Sequence, residues 1–158
     1  MPSPSPTAAP VTILVDADAC PVKDEIYRVA ERFGAEVRVV SNSPFRVPVS
    51  ARVKRVVVSD GFDAADDWIA EHADARSVVI TADIPLAARC LSRSARVVGP
   101  SGRRFTEDGI GAALTMRDLK SHLRDSGEIR DHDPPFTKQD RSRFLQALEQ
   151  AVQAAKKS

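Results

Sequence analysis

Five short runs of largely β-branched residues constrain this chain more than any other feature: residues 11–15, 37–40, 53–58, 78–80 and 95–98. A strand with one wet face alternates apolar and polar residues, whereas a strand covered on both faces need not. These runs alternate little, so each reads as a buried strand. Helical stripes lie between several of them. Val22, Ile26, Val29, Ala30 and Phe33 recur at i, i+4, i+7, i+8 and i+11, and Gly34 ends the stripe. Ala65, Trp68, Ile69, His72 and Ala73 give a second stripe, and residues 83–91 a third, shorter helix. Strand and helix in alternation predict an α/β fold: a five-stranded parallel sheet with helices on both faces.

The pattern changes after "VVGPSGRRF". Ala112, Met116, Leu119 and Leu123 form another stripe. "SGEIRDHDPPF" is a polar loop. "TKQD" then offers a capping box from Thr137 to Asp140, opening a helix through Phe144, Leu145, Leu148 and Val152. A C-terminal helical pair is therefore expected after the sheet. Residues 11–153 read as one domain, and residues 1–10, "MPSPSPTAAP", as a disordered Pro/Ser-rich tail. That tail lacks the basic start and apolar centre of a signal peptide. No apolar run approaches the roughly 20 residues of a membrane span. The expected location is the cytoplasm, with no membrane partner. Two cysteines, Cys20 and Cys90, are too few for a disulfide framework or a zinc site. A net charge of +1 gives no global field that would announce a polyanion.

Active sites of open parallel sheets lie at the carboxyl ends of the strands, near the switch in strand order. Acids gather at three such ends. Asp16 and Asp18 follow the first run, in "ILVDADA". Asp60 follows the third, in "VSDGFDAADDWI", where Asp63, Asp66 and Asp67 enter the next helix. Asp83 follows the fourth, in "VITADIP". Asp63 and Asp67, four apart, share a helix face. Two like charges about 4 Å apart repel by roughly 4 kcal/mol at an effective dielectric of 20. Converging carboxylates must then be hydrated, protonated or bridged by a cation. A site of oxygen donors without Cys or His suits Mg²⁺ or Mn²⁺, ions that activate water and steady charge on a phosphodiester. The plainer alternative is that each acid caps or flanks its own helix start. Ser41, Asn42 and Arg46, in "SNSPFRVP", and Thr81 are candidate substrate-binding residues. "RVKR" at residues 52–55 reads as a solvated strand edge.

Taken together, "ILVDADACPVKDEIYRVAER", "VSNSPFRVP", "VSDGFDAADDWI", "VITADIPLAARC" and "PPFTKQDRSRFLQAL" resemble the bacterial YaiI/YqxD family, from about Val11 to Gln150. The resemblance implies a PIN-like fold with strand order 3-2-1-4-5, the fold of many Mg²⁺- or Mn²⁺-dependent ribonucleases. It implies Asp16 and Asp83 as catalytic acids and metal ligands. The middle ligand is Asp63, Asp66 or Asp67, with Asp18 an extra acid, and the implied partner is RNA. After the fifth strand this chain has "VVGPSG", where some such nucleases place a further acid.

Two other chemistries share parts of the pattern. "ILVDADA" resembles the DxD of haloacid-dehalogenase-type phosphatases, but no Lys and late acidic pair follow in fitting positions. A receiver domain would use Asp60 as phosphoacceptor and Thr81 as switch, but Arg96 stands nearest the place of its Lys. A non-catalytic RNA- or nucleotide-binding module is the third alternative, with the acids purely structural.

Overall fold

The computed structural model describes residues 10–17, 21–43, 46–61, 63–125 and 136–158. Asp18, Cys20, the tail up to residue 9 and most of the "SGEIRDHDPPF" loop lie outside the described residues, as does the side chain of Leu123.

The elements run β1 (Thr12–Asp16), α1 (Lys23–Phe33), β2 (Glu36–Ser41), β3 (Val53–Val57), α2 (Ala64–His72), β4 (Ser77–Ile80), α3 (Ile84–Leu91), β5 (Arg96–Val98), β6 (Arg104–Phe105), α4 (Glu107–Asp125) and α5 (Lys138–Lys156). The sheet order is β3-β2-β1-β4-β5-β6. The first five strands pair in parallel, while β6 pairs antiparallel to β5, with Val98 opposite Arg104. The expected five-stranded sheet is therefore six-stranded and mixed. Two residues, one of them an exposed arginine, carry no periodicity that could announce a strand.

Both faces of the sheet are covered over β1, β2, β4 and β5, which explains their unbroken β-branched runs. The run at 53–58 departs from the expected buried strand, because β3 is an edge strand with Lys54, Arg55 and Val57 exposed. Ile13, Val15, Val37 and Val39 face a core closed by α1 and α5, with Phe144, Leu148 and Val152 fully buried. Leu14, Val40 and Val79 face the other way, toward α2 and α3. The α1 stripe is as expected, and Gly34 ends the helix in the left-handed region at φ 69°. The α5 capping box is also present: Asp140 N–H donates to Thr137 Oγ1, and Thr137 N–H to Asp140 Oδ2.

The last two helices depart from expectation. They follow one another in sequence but do not share a face: α4 packs on α3, and α5 on α1, β4 and β5. The buried side of α4 is formed by Ala113 with Ile110 and Leu114 partly covered. Ala112, Met116 and Leu119 from the expected stripe are exposed. Spacing finds a helix, but with two candidate apolar faces it cannot say which one meets protein.

Three contacts fix which way α5 runs. Its C-terminal end meets the amino ends of the strands, where Arg76 donates to the Ser158 and Lys156 carbonyls. Near its start, Arg141 pairs with the buried Glu25 in the first turn of α1, just past the carboxyl end of β1. Gly102, in the turn after β5, lies against Arg143: a Cβ there would stand 2.7 Å from the Arg143 carbonyl carbon. The α5 N-terminus therefore sits at the carboxyl rim of the sheet. At Gly102, φ is also +91°. Gly102→Ala is expected to cost more than about 1 kcal/mol, read as a lower urea midpoint with an unchanged slope; an unmoved midpoint would deny the close approach.

Candidate metal centre

β1 and β4 are neighbours, and the chain order reverses there: β2 and β3 lie to one side and β5 to the other. The residues ending these strands are buried rather than splayed. Asp16 is 9% exposed and Thr81 1%. Thr81 donates its hydroxyl to Asp16 Oδ2 at 2.9 Å. The oxygen of that hydroxyl accepts the backbone N–H of Asp83 at 3.0 Å. One hydroxyl thus orients the Asp16 carboxylate and fixes the bend that carries Asp83. A hydrogen bond to a charged group is worth about 1.5–3 kcal/mol, enough to hold one rotamer of Asp16.

Asp83 sits at the N-cap of α3, where Oδ1 accepts from Leu86 N–H at 3.0 Å, so the capping role is real for this acid. Asp63 is different. It occupies the N-cap of α2 at φ 63°, a left-handed conformation, and its side chain makes no cap hydrogen bond. Asp67 turns to α3 and pairs with Arg89 at 2.8 Å, both about half-exposed. Such a pair contributes about 0–1 kcal/mol and takes Asp67 out of the expected shared face with Asp63.

Asp66 is the acid of α2 that joins the strand ends electrostatically. Its carboxyl is pushed up to about 6, first by partial burial, then by the charges of Asp83, Asp16 and Asp63, with Arg89 opposing. Asp63, Asp66 and Asp67 thus differ in surroundings, one uncapped at a helix start, one raised by burial and neighbouring charge, and one paired with Arg89.

The remaining expected residues lie farther along the rim. Ser41 ends β2, is buried, and accepts Ser43 N–H through its own hydroxyl, so it shapes its turn. Asn42 and Arg46 are exposed, and so is Asp60. Cys90 is fully buried in α3, and burial pushes its thiol up to about 12, an inert core thiol. Sequence reasoning missed the Glu25–Arg141 pair; an acid in a first helical turn gives no sign that it will be buried.

Among the described residues, no three His, Cys, Asp or Glu side chains stand together as a ready-made metal cage. The donor set instead fits a hydrated Mg²⁺-type ion. Such ions keep several waters and are held by one or two carboxylates plus substrate phosphates.

Residues 14–154 match the family model described as "Uncharacterized BCR, YaiI/YqxD family". The chain belongs to the YaiI/YqxD family. The UPF0178 protein of Sphingopyxis alaskensis is 59% identical over 151 residues, covering 95% of this chain and 97% of that one. The UPF0178 protein of Rhodospirillum rubrum is 54% identical over 146 residues, 92% and 97% of the two chains. That of Parvibaculum lavamentivorans is 56% identical over 145 residues, 92% and 95%. No solved structure matches. The family match spans β1 to α5 and so includes Asp16, Asp63, Asp66, Asp67 and Asp83. Among the described residues, no helix is long and apolar enough to cross a membrane.

Asp66 gives this family member a pH signature. Its folded value, about 6, lies above the ordinary 3.8. Between these values the folded chain holds the proton more tightly than the unfolded chain. The stability this brings is complete at low pH and lost as pH rises through about 6. Without metal, Asp66→Asn should therefore gain urea midpoint over wild type from pH 4 to pH 7. A constant difference across that range would mean that the carboxyl is not crowded.

Proposed function

We propose that this chain is a divalent-metal-dependent ribonuclease of PIN-like architecture, with Asp16, Asp66 and Asp83 as its acidic centre. The observation that carries the reading is that Thr81 ties the Asp16 carboxylate to the Asp83 backbone at the switch between β1 and β4, with the Asp66 carboxyl raised by burial and by the charges of both. The five parallel strands in order 3-2-1-4-5 support the PIN-like part. Their switch point is where an α/β sheet places its ligand.

In this reading Asp16 and Asp83 hold the ion together with water, and Asp66 shares its field. Bound Mg²⁺ or Mn²⁺ would supply an activated water and stabilise charge at the phosphoryl group. Thr81 is a positioning residue: its hydroxyl holds the Asp16 carboxylate in one orientation and keeps the Asp83 backbone in place. Asp63 adds negative charge beside Asp66 without capping its helix.

The test is cleavage of an end-labelled single-stranded RNA with millimolar Mn²⁺ or Mg²⁺, against the same reaction in EDTA and against p-nitrophenyl phosphate. Cleavage with metal only, and an inert phosphomonoester, is the expected result. Hydrolysis of the monoester without RNA cleavage would replace this reading with the phosphatase one.

A further inference from the structure

The acidic centre has a basic neighbour on the same rim. β4 and β5 are adjacent, and Thr81 N–H bonds the Val98 carbonyl at the end of β5. The chain then turns through Gly99 to Gly102 and returns as β6. Arg103 and Arg104 in this hairpin are exposed, and the Arg103 guanidinium lies 4.8 Å from the centre of the Phe105 ring. Gly102 seats the hairpin directly against Arg143. On α5, Lys138, Gln139, Ser142 and Arg143 line one shallow depression of about 360 Å³. From the strand of Asp16 to β5 is two strand spacings, about 10 Å. The root of the hairpin thus lies about two strand spacings from Asp16, and the N-terminal part of α5, on the α1 face of the sheet, meets the hairpin at this rim.

Among the described residues, little offsets the charge of Arg143. It is 68% exposed, and its contact with Asp140 is long, 3.9 Å. The Asp140 carboxylate accepts Thr137 N–H in the capping box. The same box engages the helix start, so its amides are not the source of the attraction. What remains is side-chain charge: Arg103, Lys138 and Arg143, with the hydroxyl of Ser142 and the amide of Gln139 able to donate between them.

We propose that this rim, Arg103, Lys138, Ser142 and Arg143, is the track that binds the phosphodiester backbone of a single-stranded RNA entering the acidic centre. The proposal rests on the ribonuclease reading for the identity of its ligand, and on charge and placement for its location. Carboxylates repel a polyanion, so an acidic centre acting on RNA needs cations beside it to hold the flanking phosphates. Guanidinium groups suit this, because they meet phosphate oxygens with paired donors. Contacts of this kind position the strand and do not read its sequence.

The experiment is fluorescence anisotropy of a labelled mixed-sequence 20-nucleotide RNA, titrated in EDTA at several KCl concentrations. EDTA separates binding from cleavage. Wild-type affinity should fall linearly in log–log form as salt rises. Arg103→Gln with Arg143→Gln should weaken binding and flatten the slope by roughly one per residue. Arg103→Lys with Arg143→Lys should restore most of the slope, since the charge returns. Lys156→Gln with Lys157→Gln removes the same charge at the other end of α5 and should change little. Equal losses from both ends of the helix would overturn the track in favour of general attraction, as would an unchanged slope in the Arg→Gln pair. If wild type cleaves RNA while the Arg→Gln pair binds normally, the track fails and the ribonuclease reading stands. If the Arg→Gln pair binds weakly while wild type shows no metal-dependent cleavage, the track stands and the ribonuclease reading fails.

Discussion

Asp16→Asn is expected to remove metal-dependent RNA cleavage, by on the order of 10²-fold or more, while leaving the fold intact. The amide keeps the side chain's shape, and its oxygen can still accept from the Thr81 hydroxyl that now bonds Asp16 Oδ2. What disappears is one negative charge. That charge helps raise the Asp66 carboxyl, so its loss relieves repulsion in the metal-free chain. In chelator the variant should melt at or above wild type. With Mn²⁺ at 100 times its dissociation constant, wild type should gain about 2.7 kcal/mol by mass action. For a chain of this size that is roughly 5–11 °C. The variant should gain a small fraction of it. Equal metal shifts in the two proteins would remove Asp16 from the ligand set. A variant that melts well below wild type in chelator would make Asp16 a structural acceptor instead.

Phe144→Ala should have the largest effect on stability. Phe144 is fully buried and is the largest side chain that α5 contributes to the core it forms with α1, β4 and β5. Truncating a buried aromatic costs about 3–5 kcal/mol, because the cavity collapses only in part. The melting temperature should fall by roughly 6–20 °C. A ribonuclease assay at low temperature would show activity largely retained if α5 serves mainly as support. A loss below about 1 kcal/mol, measured by urea unfolding, would mean that α5 is not an integral layer of the core.

The parallel strands were legible because double coverage leaves its mark on composition: Val37, Val39 and Val40 are all fully buried, on opposite faces. Helix α1 was legible down to its terminating glycine. β6 was not, since a two-residue strand exists only through its partner. The face of α4 was not, because Ala112, Met116 and Leu119 have the same spacing whether or not protein covers them. Strand-end logic placed Asp16 and Asp83 at the ends of neighbouring strands, where they stand, but gave no sign of the Thr81 hydroxyl that links them. The different surroundings of Asp66 and Asp67 were not legible, because Arg89, which pairs with Asp67, is distant in sequence. That the hairpin after β5 lies against α5 was invisible because it depends on the close approach of Gly102 to Arg143, which are distant in sequence.

The two outer edges of the sheet bear on how copies of this chain meet one another. β3 closes one side, and it exposes Lys54 and Arg55 along its length. The other side ends in β6, too short to template more than a pair of residues. A flat apolar ladder of unpaired amides recruits strands from other molecules, whereas charge and shortness both discourage it. Two neighbouring molecules would have to place like charges side by side to extend the sheet at β3, and would find almost no backbone to grip at β6. The fold thus carries its own guard against edge-to-edge stacking, at the two places where an open sheet is most exposed to it.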